Sequence, residues 1–117
     1  VKDNHLALCG GVKNAVATLR ENLVPGLKIE VEVKTPVQAM QAVAAGADAL
    51  LLDNMKPAMV ADLCKKLKNK VFLEVSGDVT MDNIREFAMA GPHAISTSAI
   101  FKYSRWADMS LNVEVLT

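Results

Sequence analysis

Short apolar runs alternate with amphipathic stretches along most of the chain. Lys28-Ile-Glu-Val-Glu-Val33 alternates apolar and polar at every residue, the period of a strand with one buried face. Ala49-Leu-Leu-Leu52 and Val71-Phe-Leu-Glu-Val75 are short, apolar and β-compatible, and His93-Ala-Ile-Ser-Thr97 is a weaker strand of the same kind. Helical patterns lie between them. Thr35-Pro36 supplies an N-cap and a proline at the first helical position, Ala39, Ala42 and Val43 share one face, and Gly46 marks the stop. Val60, Leu63, Cys64 and Leu67 form a second stripe. A third helix is expected to open at Thr80, carry Ile84, Phe87 and Ala88, and close at Gly91. An earlier one runs from Val12 to Leu23 and is ended by Pro25-Gly26.

The polar residues that close the runs recur. Asp3, Glu32, Asp53, Ser76 and Ser98 are separated by 29, 21, 23 and 22 residues. A strand followed by a helix in such a unit is a βα module, and consecutive modules build a parallel sheet because the helix carries the chain back across it. No glycine-rich dinucleotide fingerprint follows a strand, which weakens an open Rossmann reading. A closed (β/α)8 barrel takes roughly 250 residues. The expected fold class is therefore α/β, about half of a TIM-like, incomplete α/β barrel with parallel strands.

Composition narrows the function. Apolar residues make up 51% of the 117, which excludes a disordered chain. The 13 basic and 13 acidic residues balance, and aromatics stand at 4%. No nucleic-acid partner is expected, since neither a basic excess nor a stacking platform exists. No membrane partner is expected either, because Asp48 and Asp53 break the richest apolar stretch. Cys9 and Cys64 fit no zinc or redox spacing and read as two reduced thiols, so a soluble, cytoplasmic protein is expected. The chain opens on Val1-Lys2-Asp3-Asn4-His5 with no initiator Met, and is expected to begin partway through a larger protein.

In parallel α/β architectures ligands sit beyond the carboxyl ends of the strands. The residues collected there include Lys2, Asp3, Asn4, His5, Glu30, Glu32, Asp53, Asn54, Glu74, Ser76, Gly77, Asp78, Ser96, Thr97 and Ser98. Glu30 and Glu32 share one strand face, expected to point into the barrel mouth. Carboxylates inside an apolar strand need a partner, a cation or ligand hydroxyls. Structural salt bridges to Lys2 or Lys34 are the plain alternative, weaker for three acids on successive strand ends than for one. Ser76-Gly77-Asp78, leading to a helix N-terminus near Thr80, offers N–H groups to a phosphate. Ser96-Thr97-Ser98 supplies a second side, and Lys102 a cation or simply a solvated lysine. His93 reads as a turn histidine at the wrong end for chemistry. Lys65, Lys66, Lys68 and Lys70 suit a helix C-terminus, and Arg20, Arg85 and Arg105 fall outside the site. The methionines fill packing gaps.

Val-Lys-Asp-Asn-His at 1–5, Gly10-Gly11-Val12, the Lys-Ile-Glu-Val-Glu-Val strand, Ala-Gly-Ala-Asp-Ala-Leu-Leu-Leu-Asp-Asn-Met at 45–55, Glu-Val-Ser-Gly-Asp-Val-Thr at 74–80 and Asp108-Met-Ser-Leu111 come in one order. Together they resemble the C-terminal half of the quinolinate phosphoribosyltransferase family, the carboxylating nicotinate-nucleotide pyrophosphorylases. The resemblance implies the C-terminal part of the family's barrel domain over 1–117, with the N-terminal domain and the first barrel strands outside the chain. It implies transfer of phosphoribosyl from phosphoribosyl pyrophosphate to quinolinate, with loss of CO2 and pyrophosphate, giving nicotinate mononucleotide for NAD. A homo-oligomer, dimer or hexamer, is implied for the full-length form, its sites completed by the neighbouring subunit's N-terminal domain.

By the same resemblance Lys2, Glu32 and Asp53 are the catalytic and substrate-binding charges, and Ser76, Gly77 and the Asp78 position hold substrate phosphate, with Ser98 at the next strand end; Lys102 joins the substrate-binding set by its position after that strand, not by the resemblance. Mg2+ is implied as cofactor, held mainly through substrate near Glu32 and Asp53. Two positions depart from the family: Asp78 stands where a second glycine is usual, and Ser98 where another glycine is. The arginines that grip the quinolinate carboxylates belong to the first half, so a chain of these residues alone is expected to turn over nothing. The competing readings are a non-catalytic half-barrel that binds a phosphate ligand or a protein partner, and a phosphate-binding barrel of indole or thiamin synthesis. The Lys-Asp-Asn-His opening points away from the latter.

Overall fold

Why the strands form is visible in which residues disappear from water. In the computed structural model, which describes residues 1–102 and 104–114, Val31, Val33, Leu50, Leu52, Leu73 and Val75 are all fully buried. Each removes a branched side chain from solvent, worth about 1.5–3 kcal/mol. They lie on alternate positions of β1 (Glu30–Val33), β2 (Ala49–Asp53) and β3 (Phe72–Ser76), which β4 (Ala94–Ile95) extends. The sheet is parallel throughout, in the order β1-β2-β3-β4, so β1 and β4 are its edges.

Helices cover the apolar face. They are α1 (Asp3–Leu8), α2 (Val12–Asn22), α3 (Pro36–Ala44), α4 (Pro57–Leu67), α5 (Ile84–Ala90) and α6 (Ala99–Lys102). α3 starts as its sequence predicts: Thr35 Oγ1 accepts from Gln38 N at 3.2 Å, and the Gln38 side chain accepts from Lys34 N at 2.8 Å. Val60, Leu63, Cys64 and Leu67 of α4 and Val12, Ala15 and Val16 of α2 complete the core. No helix among the described residues is long and apolar enough to cross a membrane. Past α6, residues 104–114 form neither helix nor strand, and Trp106, Met109, Leu111 and Val113 are exposed.

Three expectations need correcting. Asp3 does not end a strand but opens α1; it is Val1 that lies along β1, its ammonium donating to Glu30 O at 2.7 Å and its carbonyl accepting from Glu32 N at 2.9 Å. The third helix begins at Ile84 rather than Thr80: Thr80 N donates to the Asn83 amide oxygen at 2.8 Å and Ile84 N to Thr80 O at 2.9 Å, so residues 80–83 form a capped turn ahead of it. The strand edges also retreat. Ile29 N is taken by Asp48 instead of the ladder, and β4 is only two residues long, although Ser96 N beyond it still donates to Val75 O at 2.8 Å.

Candidate active site

The uncovered face of the sheet carries the charges. Alternation that buries Val31 and Val33 places Glu30 and Glu32 on the opposite face, followed by Leu51 and Asp53 on β2 and by Glu74 and Ser76 on β3. Register aligns Glu32 with Leu51 and Leu51 with Glu74, and one layer nearer the strand ends aligns Asp53 with Ser76. The acids predicted from the sequence therefore share one face, at the end where the βα loops emerge.

At the β1 end two cations meet two acids. Lys2 Nζ stands 3.8 Å from Glu32 Oε2, with the lysine side chain 74% exposed and the glutamate 14%. Val1, Lys2, Glu30, Glu32 and Leu51 enclose a small hollow beside them. The salt-bridge alternative thus holds for Glu32, yet through a lysine whose head remains in water and can turn to a ligand. Lys34 pairs instead with Asp3, which holds its ammonium above the ordinary lysine range; Asp53 and Glu32 act in the same direction more weakly. Lys34 entered the sequence reading only as a salt-bridge partner, and its partner is Asp3 rather than a strand-end acid.

Beyond β3 and β4 opens a groove of about 650 Å3, lined by Ser76, Gly77, Asp78, Thr80, Ser96, Ser98 and Lys102 among others. The structure brings together every residue expected to bind phosphate. What it does not provide is a helix end at Gly77, since α5 starts seven residues later. The walls are held by Ser96 and Thr97, expected at this strand end, and by Asn83, which the sequence left unassigned. Asn83 donates to Asp78 O at 2.9 Å, Thr97 ties Val79 O to Ala99 N, and the Ser96 hydroxyl donates to Glu74. Hydroxyls and the small-residue backbone face the groove, the donor set an oxyanion takes.

Gly77 has φ +87° and Asp78 has φ +51°. The position where a second glycine is usual therefore retains the left-handed backbone that glycine adopts freely, and aspartate is among the few others that tolerate it. Asp78 is exposed and lines the groove. Between the groove and Glu32 stands Asp53, which accepts from the Asn54 amide at 2.9 Å. Among the described residues no group of three or more His, Cys, Asp or Glu side chains could hold a metal by protein atoms alone. Oxygen donors limited to Asp53 and Glu32 fit a hard cation that keeps most of its shell from phosphate and water, as Mg2+ does.

Arg20 bonds Gly46 O and Asp48 at the opposite end of the sheet, and His93 Nδ1 accepts from Leu73 N at 3.0 Å while its ring stacks on Phe72.

Against known proteins, residues 1–112 match the family model described as quinolinate phosphoribosyl transferase, C-terminal domain. The chain is 40% identical over 118 residues to the human carboxylating nicotinate-nucleotide pyrophosphorylase, covering 97% of this chain and 39% of that protein. To the probable carboxylating nicotinate-nucleotide pyrophosphorylase of Methanothermobacter thermautotrophicus it is 36% identical, covering 99% of this chain and 43% of the relative. The solved nicotinate-nucleotide pyrophosphorylase of Francisella tularensis superposes with a TM-score of 0.80 at 36% identity, over 87% of this chain and 36% of that one. The chain spans about two fifths of the length of the curated relatives it matches.

Proposed function

The chain belongs to the quinolinate phosphoribosyl transferase family, whose C-terminal domain it carries, and on that premise we propose that it is the catalytic half of a carboxylating nicotinate-nucleotide pyrophosphorylase. The reaction joins quinolinate and phosphoribosyl pyrophosphate to give nicotinate mononucleotide, CO2 and pyrophosphate. The pyridine nitrogen attacks the anomeric carbon as the bond to pyrophosphate breaks; the carboxylate beside that nitrogen then leaves as CO2, and the electron pair it leaves on the ring carbon takes up a proton from water.

One observation carries the reading most: Asp53 and Ser76 are register partners, so a carboxylate stands next to a residue that lines the groove, at one strand end. A ribose 5-phosphate presents both hydroxyls and a phosphate to such a pair. Displacement at the anomeric carbon builds positive charge on the sugar, and Glu32 and Asp53 stabilise it while gripping the ring hydroxyls. Lys2, exposed beside Glu32, faces a substrate carboxylate or the pyrophosphate oxygens. Ser76, Gly77, Ser98 and Lys102 hold the phosphate, with Asp78 at the rim of the same groove. Mg2+, when bound, supplies charge neutralisation of the departing pyrophosphate. The preceding half of the enzyme supplies the groups that grip quinolinate, the working form is a homo-oligomer whose N-terminal domain closes the neighbour's site, and the setting is cytoplasmic.

The test is nicotinate mononucleotide formation by the complete enzyme with quinolinate, phosphoribosyl pyrophosphate and Mg2+, with Asp53→Ala alongside. Product is expected, together with a loss of tenfold or more, about 1.4 kcal/mol or greater, in the variant. No product from a folded enzyme would overturn the reading and favour a non-catalytic half-barrel, in which the Asp78 carboxylate in the groove would be tolerated.

A further inference from the structure

Asn54 is an exposed residue with an unusual backbone. It follows Asp53 at the end of β2 with φ +52°, and of the non-glycine residues only it and Asp78 have positive φ among those described. The left-handed region disfavours side chains, asparagine least, and an exposed residue gains no core packing from adopting it. Three ties account for it instead. The Asn54 backbone N–H donates to Ser76 O at 2.9 Å, and its side-chain amide donates to Asp53 Oδ1 at 2.9 Å. Its side chain also lies over Gly77 so closely that a Cβ there would stand 2.6 Å from Asn54 Cγ.

We infer that Asn54 is a positioning residue that fixes the Asp53 carboxylate and the Gly77 turn at one separation, so that ribose hydroxyls and phosphate of one substrate are gripped together. This rests on the reading of the site as a phosphoribosyl site. The logic is mechanical as well as electrostatic. The amide donor sets the rotation of the Asp53 carboxyl, leaving its other oxygen for a hydroxyl. The body of the same side chain occupies the space a larger residue at 77 would need, and so holds the turn at its distance from β2. Neither anchor can shift without moving the other, which favours a ligand carrying both groups over one carrying phosphate alone.

Four forms of the complete enzyme test it: wild type, Asn54→Gly, Gly77→Ala and the double variant. Asn54→Gly keeps the left-handed backbone and removes only the side chain. It is expected to raise KM for phosphoribosyl pyrophosphate about tenfold, with KM for quinolinate changed less than about twofold and the melting temperature held. Gly77→Ala is expected to raise the same KM strongly in the wild-type background and less in the Asn54→Gly background, where the colliding side chain is gone. Calorimetry gives a readout apart from turnover: Asn54→Gly weakens ribose 5-phosphate more than inorganic phosphate. A KM within about twofold of wild type, strictly multiplicative effects of the two substitutions, or equal weakening of both ligands would overturn the inference. No product from wild type would sink the phosphoribosyltransferase reading by itself, and the calorimetry would still decide the role of Asn54.

Discussion

The two ends of the parallel sheet use similar side chains to opposite effect. At the amino end Asp48 is saturated: it accepts from Ile29 N at 2.7 Å and from Arg20, and Lys28 stands 3.5 Å away. The Ile29 N–H, aided by Arg20, holds its carboxyl below the usual carboxylate range, against partial burial that pushes the other way. No left-handed side chain occurs there, and the groups lock one another. At the carboxyl end Lys2 is exposed beside Glu32, Asn54 and Asp78 occupy left-handed backbone, and a groove stands open. Charges at one end satisfy each other and hold the fold; at the other they are aligned but left able to turn toward a ligand. This division, stability at one face of a barrel and chemistry at the other, follows from where the βα loops emerge.

The comparison is easiest to break at its extremes. Asp53→Ala in the complete enzyme should lower kcat/KM by tenfold or more, about 1.4 kcal/mol of transition-state stabilisation or greater, while the melting temperature stays close to wild type. Asp48→Asn should do the reverse. We expect a loss of about 1–2 kcal/mol in denaturant unfolding with unchanged kinetics in the folded enzyme, since its carboxylate serves a backbone N–H and an arginine. The sign with pH follows. A depressed folded-state value contributes stability in full above the ordinary value near 3.8 and loses it as pH falls through the lower one. Unfolding curves of wild type and Asp48→Asn should therefore converge in acid and separate at neutral pH.

Smaller effects sharpen the contrast within the site. Asp78→Gly should tighten phosphoribosyl pyrophosphate a few-fold by removing a carboxylate from the groove, and raise stability by up to about 1 kcal/mol by relieving the left-handed side chain. Rising KM in that variant would show that Asp78 assists the ligand. Least of all, a thiol reagent should modify half-buried Cys9 well before Cys64 in the native chain. Burial pushes the Cys64 thiol up, with Lys68 opposing weakly, so it stays protonated and shielded. Equal rates at the two would mean that α4 opens far more readily than its buried stripe suggests.

Periodicity is local, and what it encodes was legible. Val31 and Val33 against Glu30 and Glu32 give the strand, its two faces and the carboxylates on the one that no helix covers; Thr35-Pro36 and the 60-63-64-67 stripe give α3 and α4. The parallel order followed from helices set between strands. The groove residues Ser76, Gly77 and Ser98 were found because small polar turns close the strands. Misreadings arose at element ends. The spacing counts the capped turn at 80–83 as part of the helix, and Asp3 at a helix start resembles the polar residue that ends a strand.

Other features belong to the folded chain alone. The fold decided that Lys34 pairs with Asp3 while Lys2 stands by Glu32, and register of β2 on β3 set Asp53 beside Ser76. The close approach of Asn54 to Gly77 joins residues 23 apart, and nothing in either neighbourhood announces it. The sequence by itself determined the elements, the parallel α/β class and the end at which the charges collect, because each depends on the spacing of neighbours along the chain. Tertiary structure decided which of those charges pair and which face the open groove, because pairing depends on how one strand slides against the next.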